Sequence, residues 1–567
     1  MLILFTLLSF LCLISCLGFG FLFCEVNKIN YFNKNTGLVG ILGLFLLSLI
    51  ASITHLFLPH GYIHNIILLF LGIISFIFFK KKSEYNFYKI ISFIFLLLLI
   101  GLLISKNNED FGYYHLTNSL QFTQHKLQFG LGNLSHGFKH ITSLFLTNSI
   151  FYFPITEYYL FNITNYLFLV FFITFLIYEI FKNKIINNFS KNLILIVLIL
   201  FLIKFTRLSE YGTDIAGQIL IFISIIISSE LYFNKSITEN LKKEIYYINV
   251  IILIFAITTK VVFLIYFLIP LLIFLETRNK KKYFDYIFKI KNLLFIIVPI
   301  ALLILFNFSS TGCLLYPMKF TCFSNTFDWA LSQNTVNAMS NHYELWAKAG
   351  KGPTYQVENP EIYLNNFNWL PHWVSNYFFT KVSDFIGVTF ITIFFYYIIN
   401  FNKIKKISKL PIITFSKFFK FYFTFIIIYL FWFLNFPTLR YAGYVIFFLV
   451  LSLPFVFYIN NKISLSIKND RKKIYIIIFL CFFIFMSKNV VRINKEFNIP
   501  ETNHHNFKNF PFFWIDNVNY NKITRDELSV YMVKDGKMCW NTPPTCVRNE
   551  KFIMKKKYNY KFYYDNQ

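Results

Sequence analysis

The chain has 567 residues, of which 56% are hydrophobic, 21% aromatic and only 14% charged, and its formal net charge is +27. Soluble domains average about a quarter charged residues, so this composition excludes most of them. Apolar runs such as residues 90–104, 215–233 and 475–486 are too long and too continuous for amphipathic surface helices. The sequence therefore predicts a polytopic membrane protein.

The apolar runs predict fourteen membrane-spanning helices, several of them shorter than the roughly 20 residues that usually cross a bilayer. The first run has no basic residues ahead of it and no cleavage motif, so we expect a spanning helix and not a signal peptide. Residues 246–275 would fit one long helix, but lysine-rich loops on both sides favour a hairpin with Lys260 at its turn. The predicted spans are residues 1–24, 37–58, 62–79, 90–105, 159–181, 192–206, 215–233, 246–259, 261–275, 293–308, 380–400, 421–436, 441–458 and 474–487.

The positive charge is distributed over seven short loops and does not form one basic face, which argues against nucleic-acid binding. By the positive-inside rule, these lysine-rich loops face the cytoplasm. The alternation then predicts that both termini and three large segments, residues 106–158, 309–379 and 488–567, lie outside the cytoplasm. The lysine-rich loops are residues 25–36, 80–89, 182–191, 234–247, 276–292, 401–420 and 459–473.

These features predict an all-α polytopic membrane protein of about 14 helices with extracytoplasmic loops and a small disulfide-containing C-terminal tail. The membrane core includes the outer loop 106–158. In chain order, the predicted regions are N-terminal transmembrane helices preceding the core (1–89), the membrane core (90–308), an extracytoplasmic loop region (309–379), C-terminal transmembrane helices (380–487) and an extracytoplasmic tail (488–567).

The eight cysteines fall into two groups. Four lie in or beside apolar runs, where a cysteine is usually a small buried apolar residue. The others form two near pairs, Cys313 with Cys322 and Cys539 with Cys546, and predict two local disulfides in an oxidising compartment. Zinc is the alternative for these pairs, but their spacing lacks the usual CxxC pattern. A metal site among the histidines of segment 106–158 stays open, although no residue is assigned to it.

Two acidic residues, Glu109 and Asp110, follow the fourth predicted span and stand next to aromatic residues and His115. A partly desolvated carboxylate at a membrane surface holds a proton more readily than one in water, which suits a general base. The pair therefore predicts a catalytic site, and an ordinary polar boundary is the competing interpretation. His136, further along the same segment, is a candidate supporting residue.

A second polar turn, RLSEYGTD, contains Arg207, Glu210 and Asp214. Lys260 and Arg440 stand at two other short turns between apolar runs, where an isolated cation is costly unless it meets an anion or reaches the interface. Three cations on separate turns could converge on a phosphate group at headgroup depth. Two competing interpretations are salt bridges among the charged residues of RLSEYGTD and a helix N-cap role for Asp214.

Several motifs occur in an order that resembles the GT-C superfamily of membrane glycosyltransferases. An acidic residue in the first large outer loop, followed by YYHL and then by GLGNL, is similar to the pattern of those enzymes. The set also resembles a poorly characterised bacterial family of large polytopic proteins near that superfamily. Its motifs are EDFGYYHL, GLGNLSHGF, RLSEYGTD, the TTK turn, CLLYP with a following DW, PTLRYAGY and CWNTPPTC.

The resemblance implies a GT-C-like core and a glycosyltransferase of the bacterial inner membrane. This enzyme would move a sugar from a polyprenyl-phosphate donor to an envelope lipid, polysaccharide or protein acceptor on the outer face. Asp110 would act at the reacting centre with Glu109 beside it, and the cations Arg207, Lys260 and Arg440 would bind the donor phosphate. The other polar residues named above would support the site, and a divalent metal is compatible with this chemistry. A transporter or flippase, or a polymerase, of lipid-linked saccharides is the alternative.

Overall fold

The structure is a computed structural model in which the described residues are mostly helical and form five short strands close to the C-terminus. It describes residues 2–29, 35–80, 85–103, 110–181, 187–206, 212–352, 356–404, 413–461, 467–500, 507–525, 528–534, 538–548 and 551–565. The helices are α1 Leu2–Asn27, α2 Thr36–His55, α3 Tyr62–Phe79, α4 Tyr85–Leu98, α5 Leu116–Gln124, α6 Ser143–Ser149, α7 Ile163–Phe181, α8 Asn188–Lys204, α9 Asp214–Phe233, α10 Glu239–Thr259, α11 Leu268–Glu276, α12 Lys280–Ile287, α13 Ile290–Thr311, α14 Gln333–Ala347, α15 Pro360–Leu364, α16 Leu370–Trp373, α17 Ser383–Ile404, α18 Phe415–Asn435, α19 Tyr444–Asn460 and α20 Ile467–Asn498.

Ten helical segments in the described residues are long and apolar enough to cross a membrane. The prediction of a multi-pass membrane protein is thereby confirmed, whereas the count of fourteen spans stays a prediction. The other four predicted spans, residues 90–105, 192–206, 246–259 and 261–275, coincide with helices that are shorter or carry more charge: α4, α8, α10 and α11.

The predicted break within residues 246–275 is present in the structure. Helix α10 ends at Thr259, Lys260 has an extended backbone, and Val261–Phe267 form a 3-10 helix that packs back against α10. A helix end with a free final turn needs partners for its last carbonyl groups, and the Lys260 N–H supplies one by donating to the Ala256 carbonyl at 3.0 Å. Lys260 therefore lies at a turn between two helical segments.

Burial separates the central helices of the bundle from the peripheral ones. Helix α9 buries all 20 of its residues, and α7, α8 and α10 are also largely buried. Peripheral helices instead expose large apolar side chains such as Ile63, Phe78 and Ile290. Extensive apolar exposure of this kind is unfavourable in water and typical of a surface that contacts hydrocarbon.

The first three helices pack closely because glycines stand at their crossings. A Cβ atom on Gly18 of α1 would overlap the Gly72 carbonyl group of α3, and one on Gly43 of α2 would overlap the Cys16 carbonyl group of α1. Small residues at helix crossings let backbones approach and increase van der Waals contact, which drives helix association in lipid.

The described part of the C-terminal tail forms two small sheets. In the first, β1 (Tyr520–Arg525) pairs antiparallel with β2 (Leu528–Val533), which pairs parallel with β3 (Cys546–Val547). In the second, β4 (Phe552–Lys557) and β5 (Tyr560–Asp565) form a hairpin whose turn residues, Tyr558 and Asn559, both have positive φ angles. The prediction of an all-α chain is therefore wrong for the tail, where side chains alternate between buried and exposed along β4 with the period of a strand.

The tail is bound to the segment that follows the fourth predicted span. Strand β5 and residue Phe129 exchange backbone hydrogen bonds: the Phe129 N–H donates to Lys561 and the Tyr563 N–H donates back to Phe129. The rings of Phe129 and Phe562 stack with centroids 4.7 Å apart. The tail thus covers the connection between α4 and α7 at one end of the helical bundle.

Candidate functional site

Asp110 stands immediately before a π-helical turn, Phe111–His115. Its backbone carbonyl accepts hydrogen bonds from the N–H groups of Tyr114 and His115 at 3.0 and 3.4 Å, which anchors the residue to the turn. Its carboxylate accepts a hydrogen bond from the Tyr114 hydroxyl at 3.3 Å. The Asp110 side chain is 30% exposed, so a reactant can reach it.

Asp214 is the first residue of α9, and its carboxylate binds two cations. Lys260 Nζ donates to Oδ1, and Arg440 Nε donates to Oδ2 at 2.9 Å. The N-cap position belongs to Thr213, so the predicted N-cap role of Asp214 is wrong by one residue. A carboxylate in the first turn also benefits from the positive end of the helix dipole.

Arg440 connects the two carboxylates. Its Nη2 atom donates to Asp110 Oδ2 at 2.8 Å while its Nε atom donates to Asp214. The planar guanidinium can serve both acceptors at once because its N–H groups point in fixed, divergent directions. Asp110, Asp214, Lys260 and Arg440 form one continuous network, which we call the ion cluster.

The Arg440 backbone is held in an irregular turn ahead of α19. Within the π-helical turn Leu439–Gly443, Ala442 has a φ angle of 70°, and the helical path is interrupted. Two indole groups hold the preceding residues: Trp432 Nε1 donates to the Thr438 carbonyl at 3.1 Å and Trp373 Nε1 donates to the Pro437 carbonyl at 2.8 Å. The two buried tryptophans thereby hold the backbone that leads to Arg440.

Burial within the ion cluster increases from Arg440 and Asp110 toward Asp214. The side chains of Arg440 and Asp110 are 37% and 30% exposed, whereas those of Lys260 and Asp214 are 19% and 10% exposed. Two carboxylates balance two cations, which offsets the cost of removing four charges from water. The Lys260 ammonium also lies 5.0 Å from the centre of the Tyr441 ring, a favourable cation–π distance.

Two histidines and a tyrosine form a second cluster beside the first. Tyr343 Oη lies 2.7 Å from His140 Nε2 and 3.3 Å from His136 Nε2. Burial lowers the pKa of His136 to about 4, with Lys139 acting in the same direction, and burial holds the pKa of His140 well below its usual range. Both imidazoles are therefore neutral at pH 7. The Tyr114 ring joins the clusters, since it contacts His140 and its hydroxyl binds Asp110.

His115 lies behind Asp110 and contributes packing. Its ring is buried against Tyr114, with ring centroids 4.4 Å apart, and against Gly212. Gly212 has a φ angle of 53°, and a Cβ atom there would overlap the imidazole. Burial lowers the pKa of His115 to about 4, against the opposing effect of Asp110.

The structure brings together Asp110, Asp214, Lys260 and Arg440 from four distant parts of the chain. His136 lies next to this group. The predicted site residues Glu109, Arg207 and Glu210 lie outside the described residues, so the prediction of their roles and salt bridges stays a prediction. The predicted disulfides Cys313–Cys322 and Cys539–Cys546 are both present, with sulfur–sulfur distances of 2.05 and 2.03 Å.

Among the residues that the structure describes, no group of three or more histidine, cysteine or acidic side chains is arranged to hold a metal ion. Tyr343 contacts both histidines of the pair, and the ring of His342 lies farther away, 6.4 Å from that of His136 between centroids. Lys139 and Arg548 add positive charge near His136. This charge disfavours a divalent cation and favours anions. The geometry of the described residues therefore suits an anionic group better than a metal.

A family model that corresponds to a domain of unknown function, DUF8201, matches residues 1–447. The chain belongs to the DUF8201 family. No curated protein and no solved structure matches the chain. The match includes all four residues of the ion cluster and also the first three helices, whereas the tail from residue 488 onward follows it.

In this DUF8201 protein, the tail contributes residues to the site that the sequence pattern did not indicate. The Trp540 N–H donates to the Gly112 carbonyl at 2.8 Å, and the Trp540 ring packs directly on Gly112, two residues after Asp110. The Arg548 guanidinium lies 4.9 Å from the centre of the Tyr113 ring. The sequence signals in this segment were the motif CWNTPPTC and its predicted disulfide, and neither indicates a docking partner.

Proposed function

We propose that this protein is a GT-C-type glycosyltransferase that moves a sugar from a polyprenyl-phosphate donor to an envelope lipid, polysaccharide or protein acceptor. The observation that carries the proposal is the ion cluster, in which one guanidinium binds a partly exposed carboxylate and a buried one. Such a site joins a candidate base, Asp110, to candidate phosphate ligands, Lys260 and Arg440. An acid-base group beside preorganised cations is the combination that glycosyl transfer from a phosphate requires.

In the proposed reaction, Arg440 would first bind the donor phosphate, and Asp110 would then act as the base. In the free protein, the Arg440 Nη2 bond to Asp110 neutralises the carboxylate. A donor phosphate would take over that N–H group together with N–H groups of Lys260, and the released carboxylate would be free to accept a hydrogen bond from the acceptor hydroxyl. Asp110 would remove the proton of the acceptor hydroxyl as its oxygen bonds to the anomeric carbon. The bond between that carbon and the phosphate oxygen would break, polyprenyl phosphate would leave, and the configuration would invert.

Asp214 would position the cations and take no part in proton transfer. Its side chain is only 10% exposed and each of its oxygens binds a different cation. A carboxylate held by two cations is a poor base because protonation would leave both of them uncompensated. Its role would be to hold Lys260 and Arg440 at the spacing that one phosphate group can bridge.

The position of the ion cluster favours this proposal over a transporter or flippase. Transporters bind substrates near the bilayer midplane, at broken helices. Here the four residues stand at helix boundaries: before the π-helical turn that leads to α5, at the start of α9, after the end of α10 and before α19. The positive-inside rule predicts that this end lies on the extracytoplasmic side. In a bacterial inner membrane, a lipid-linked donor would take the place of nucleotide sugars on that side.

The proposal is tested with purified protein in proteoliposomes that contain polyprenyl phosphates carrying radiolabelled glucose, mannose or galactose, with an envelope extract as the acceptor source. Wild-type protein should release polyprenyl phosphate, and Asp110→Asn should lower the rate at least about 100-fold because a general base typically contributes that much. Asp328→Asn, which changes an exposed acidic residue, is the matched control and should keep the wild-type rate. Wild-type turnover by Asp110→Asn would remove Asp110 from the mechanism.

A further inference from the structure

A loop closed by the Cys313–Cys322 disulfide follows α13 directly. The 22 residues of α13 rise by about 1.5 Å each, so the helix is about 33 Å long and matches the roughly 30 Å of hydrocarbon in a bilayer. Because α13 is also apolar enough to span the membrane, its last residue, Thr311, lies close to one membrane surface. The disulfide loop therefore begins at the boundary between lipid and water.

The chain after the disulfide loop turns back onto α13 and stays near the same membrane surface. The rings of Phe323 and Phe327 pack on the ring of Phe308, with centroids 6.0 and 5.3 Å apart. Phe308 stands three residues before the end of α13, which is about 5 Å of helix rise. Phe320 is only two residues from Cys322, so its Cα atom lies at most about 7 Å from that end of the loop. The loop therefore stays at the depth of the membrane surface.

One side of the disulfide loop packs on α14. The disulfide shares a small apolar cluster with Val336, and the ring of Tyr316 lies 6.4 Å from the ring of Tyr343 between centroids. Lys319 Nζ donates to Asn341 Oδ1 at 3.3 Å. Tyr343 also contacts the two histidines beside the ion cluster. The position of the loop is thereby coupled, through α14, to that pair of histidines.

The other side of the disulfide loop is apolar and exposed. Phe320 is 89% exposed, and Leu314 and Met318 are exposed as well. Lys319 is the only charged residue between the two cysteines, and its ammonium group is directed to α14. Large apolar side chains that are exposed together are unfavourable in water, and at a membrane surface they are typical of segments that enter the boundary between headgroups and acyl chains. The exposed side of the loop therefore fits a lipid surface.

We propose that the disulfide loop inserts Met318 and Phe320 into the membrane leaflet at the C-terminal end of α13 and so holds α14 against the bilayer. The partner of this surface is lipid, because the loop begins and ends beside a spanning helix and its exposed side is apolar. Insertion would keep Tyr343 and the two histidines at the membrane surface beside the ion cluster. The inference is independent of the proposed function, since it uses neither a sugar donor nor proton transfer.

The first experiment places the photoreactive residue p-benzoylphenylalanine at the position of Phe320 in the full-length protein, in nanodiscs of phosphatidylethanolamine and phosphatidylglycerol. Irradiated benzophenone bonds to C–H groups that it contacts, so acyl chains next to the loop should form adducts that mass spectrometry detects. The same residue in place of Tyr520, an exposed aromatic residue of the edge strand β1, is the matched control and should form about tenfold fewer lipid adducts. Equal adduct yields at the two positions would overturn the inference.

The second experiment measures amide hydrogen exchange of α14 in the same nanodiscs. Phe320→Asp and Met318→Asp should each raise the exchange rate at least about threefold, because a carboxylate leaves the hydrocarbon and α14 then opens more often. Phe320→Trp retains an apolar ring and should keep the wild-type rate. Wild-type exchange by both aspartate variants would overturn the role of the loop in holding α14.

The same measurement in amphipol, which provides no bilayer, separates lipid contact from packing within the protein. Phe320→Asp should exchange at the wild-type rate there, because a side chain that is 89% exposed has little protein contact to lose. Faster exchange of this variant in both media would assign the effect to protein packing and would also overturn the inference.

Discussion

Asp214 contacts two cations whose positions in the chain are far from its own. Lys260 is 46 residues away and Arg440 is 226 residues away, yet each donates to a different oxygen of the same carboxylate. Removal of a carboxylate from such a pair leaves buried positive charge without compensation, which is costlier than the loss of an exposed salt bridge. Asp214 is thus the residue on which the geometry of the ion cluster depends most.

Asp214→Asn should lower the free energy of unfolding by about 3 kcal/mol, at the lower end of the range for a buried ion pair because Arg440 is partly exposed. Asp110→Asn breaks one ion pair of a more exposed residue and should lower it by about 1 kcal/mol or less. Reversible unfolding in mixed detergent and SDS micelles measures both values. Equal losses of unfolding free energy in the two variants would show that Asp214 contributes no more than Asp110 to the stability of the ion cluster.

The sequence indicated three of these residues as ligands of a phosphate or as catalytic groups, but it did not indicate their partners. Lys260 and Arg440 were conspicuous because each is an isolated cation between apolar runs. Which carboxylate binds which cation depends on the packing of α9, α10 and α19, and no local pattern encodes that. The described partners of Asp214 come from other turns. Salt bridges within its own turn stay a prediction, because Arg207 and Glu210 lie outside the described residues.

At the scale of elements, the tail and the turn that begins with Phe111 act as one unit. Gly112 lies under the Trp540 ring, and its carbonyl accepts a hydrogen bond from the Trp540 backbone N–H. The Cys539–Cys546 disulfide closes the loop that carries Trp540. Glycine is needed here for the close approach of an aromatic ring and not for an unusual φ angle, since no positive φ occurs at Gly112. The turn that positions Asp110 therefore depends on a segment more than 400 residues later.

Gly112→Ala should separate the tail from this turn, because the added methyl group would overlap a buried indole that has little room to move. We expect a loss of about 1–3 kcal/mol in stability and faster proteolysis of residues after 507. Gly387→Ala is the matched control, since nothing lies within 4 Å of its Cβ position in helix α17. Similar proteolysis of the two variants would contradict the role of the Trp540 contact.

The distribution of lysine predicts the membrane topology of the whole molecule. The positive-inside rule predicts that loop 276–292 and segment 309–379 lie on opposite sides of the membrane. A membrane-impermeant maleimide applied to intact cells should label Asn325→Cys at once and Lys281→Cys only after permeabilisation; both positions are exposed. The native free cysteines are buried, so background labelling should be low. If only Lys281→Cys were labelled in intact cells, the true topology would be the reverse of the predicted one. That result would contradict an extracytoplasmic enzyme.

Burial of neutral histidines makes the stability of the whole protein depend on pH. Burial lowers the pKa of His115, His125 and His136 to about 4 each, from a usual value of 6.5. Between pH 6.5 and 4 the unfolded chain therefore binds more protons at these sites than the folded chain, so acid favours unfolding. Their contribution is fully present above pH 6.5 and is lost as the pH falls toward 4.

We expect the thermal unfolding temperature to be constant between pH 8 and 7 and to fall between pH 6.5 and 5, above the range in which ordinary carboxylates titrate. His136→Gln should reduce the slope in that interval, because a glutamine does not titrate. Scanning fluorimetry in detergent at matched ionic strength provides the measurement. An unfolding temperature that stays constant down to pH 5 would show that these histidines are not buried as neutral groups.

The sequence by itself determined the helical membrane body, the break at Lys260, the two disulfides and the candidates Asp110 and Arg440. Each of these features is local: an apolar run, an isolated charge or a short cysteine spacing is visible within a few neighbouring residues. The tertiary structure decided which charges pair and that the disulfide loop of the tail packs on the turn after Asp110. Those features join residues up to several hundred positions apart, and their energies come from packing between helices that a single sequence does not specify.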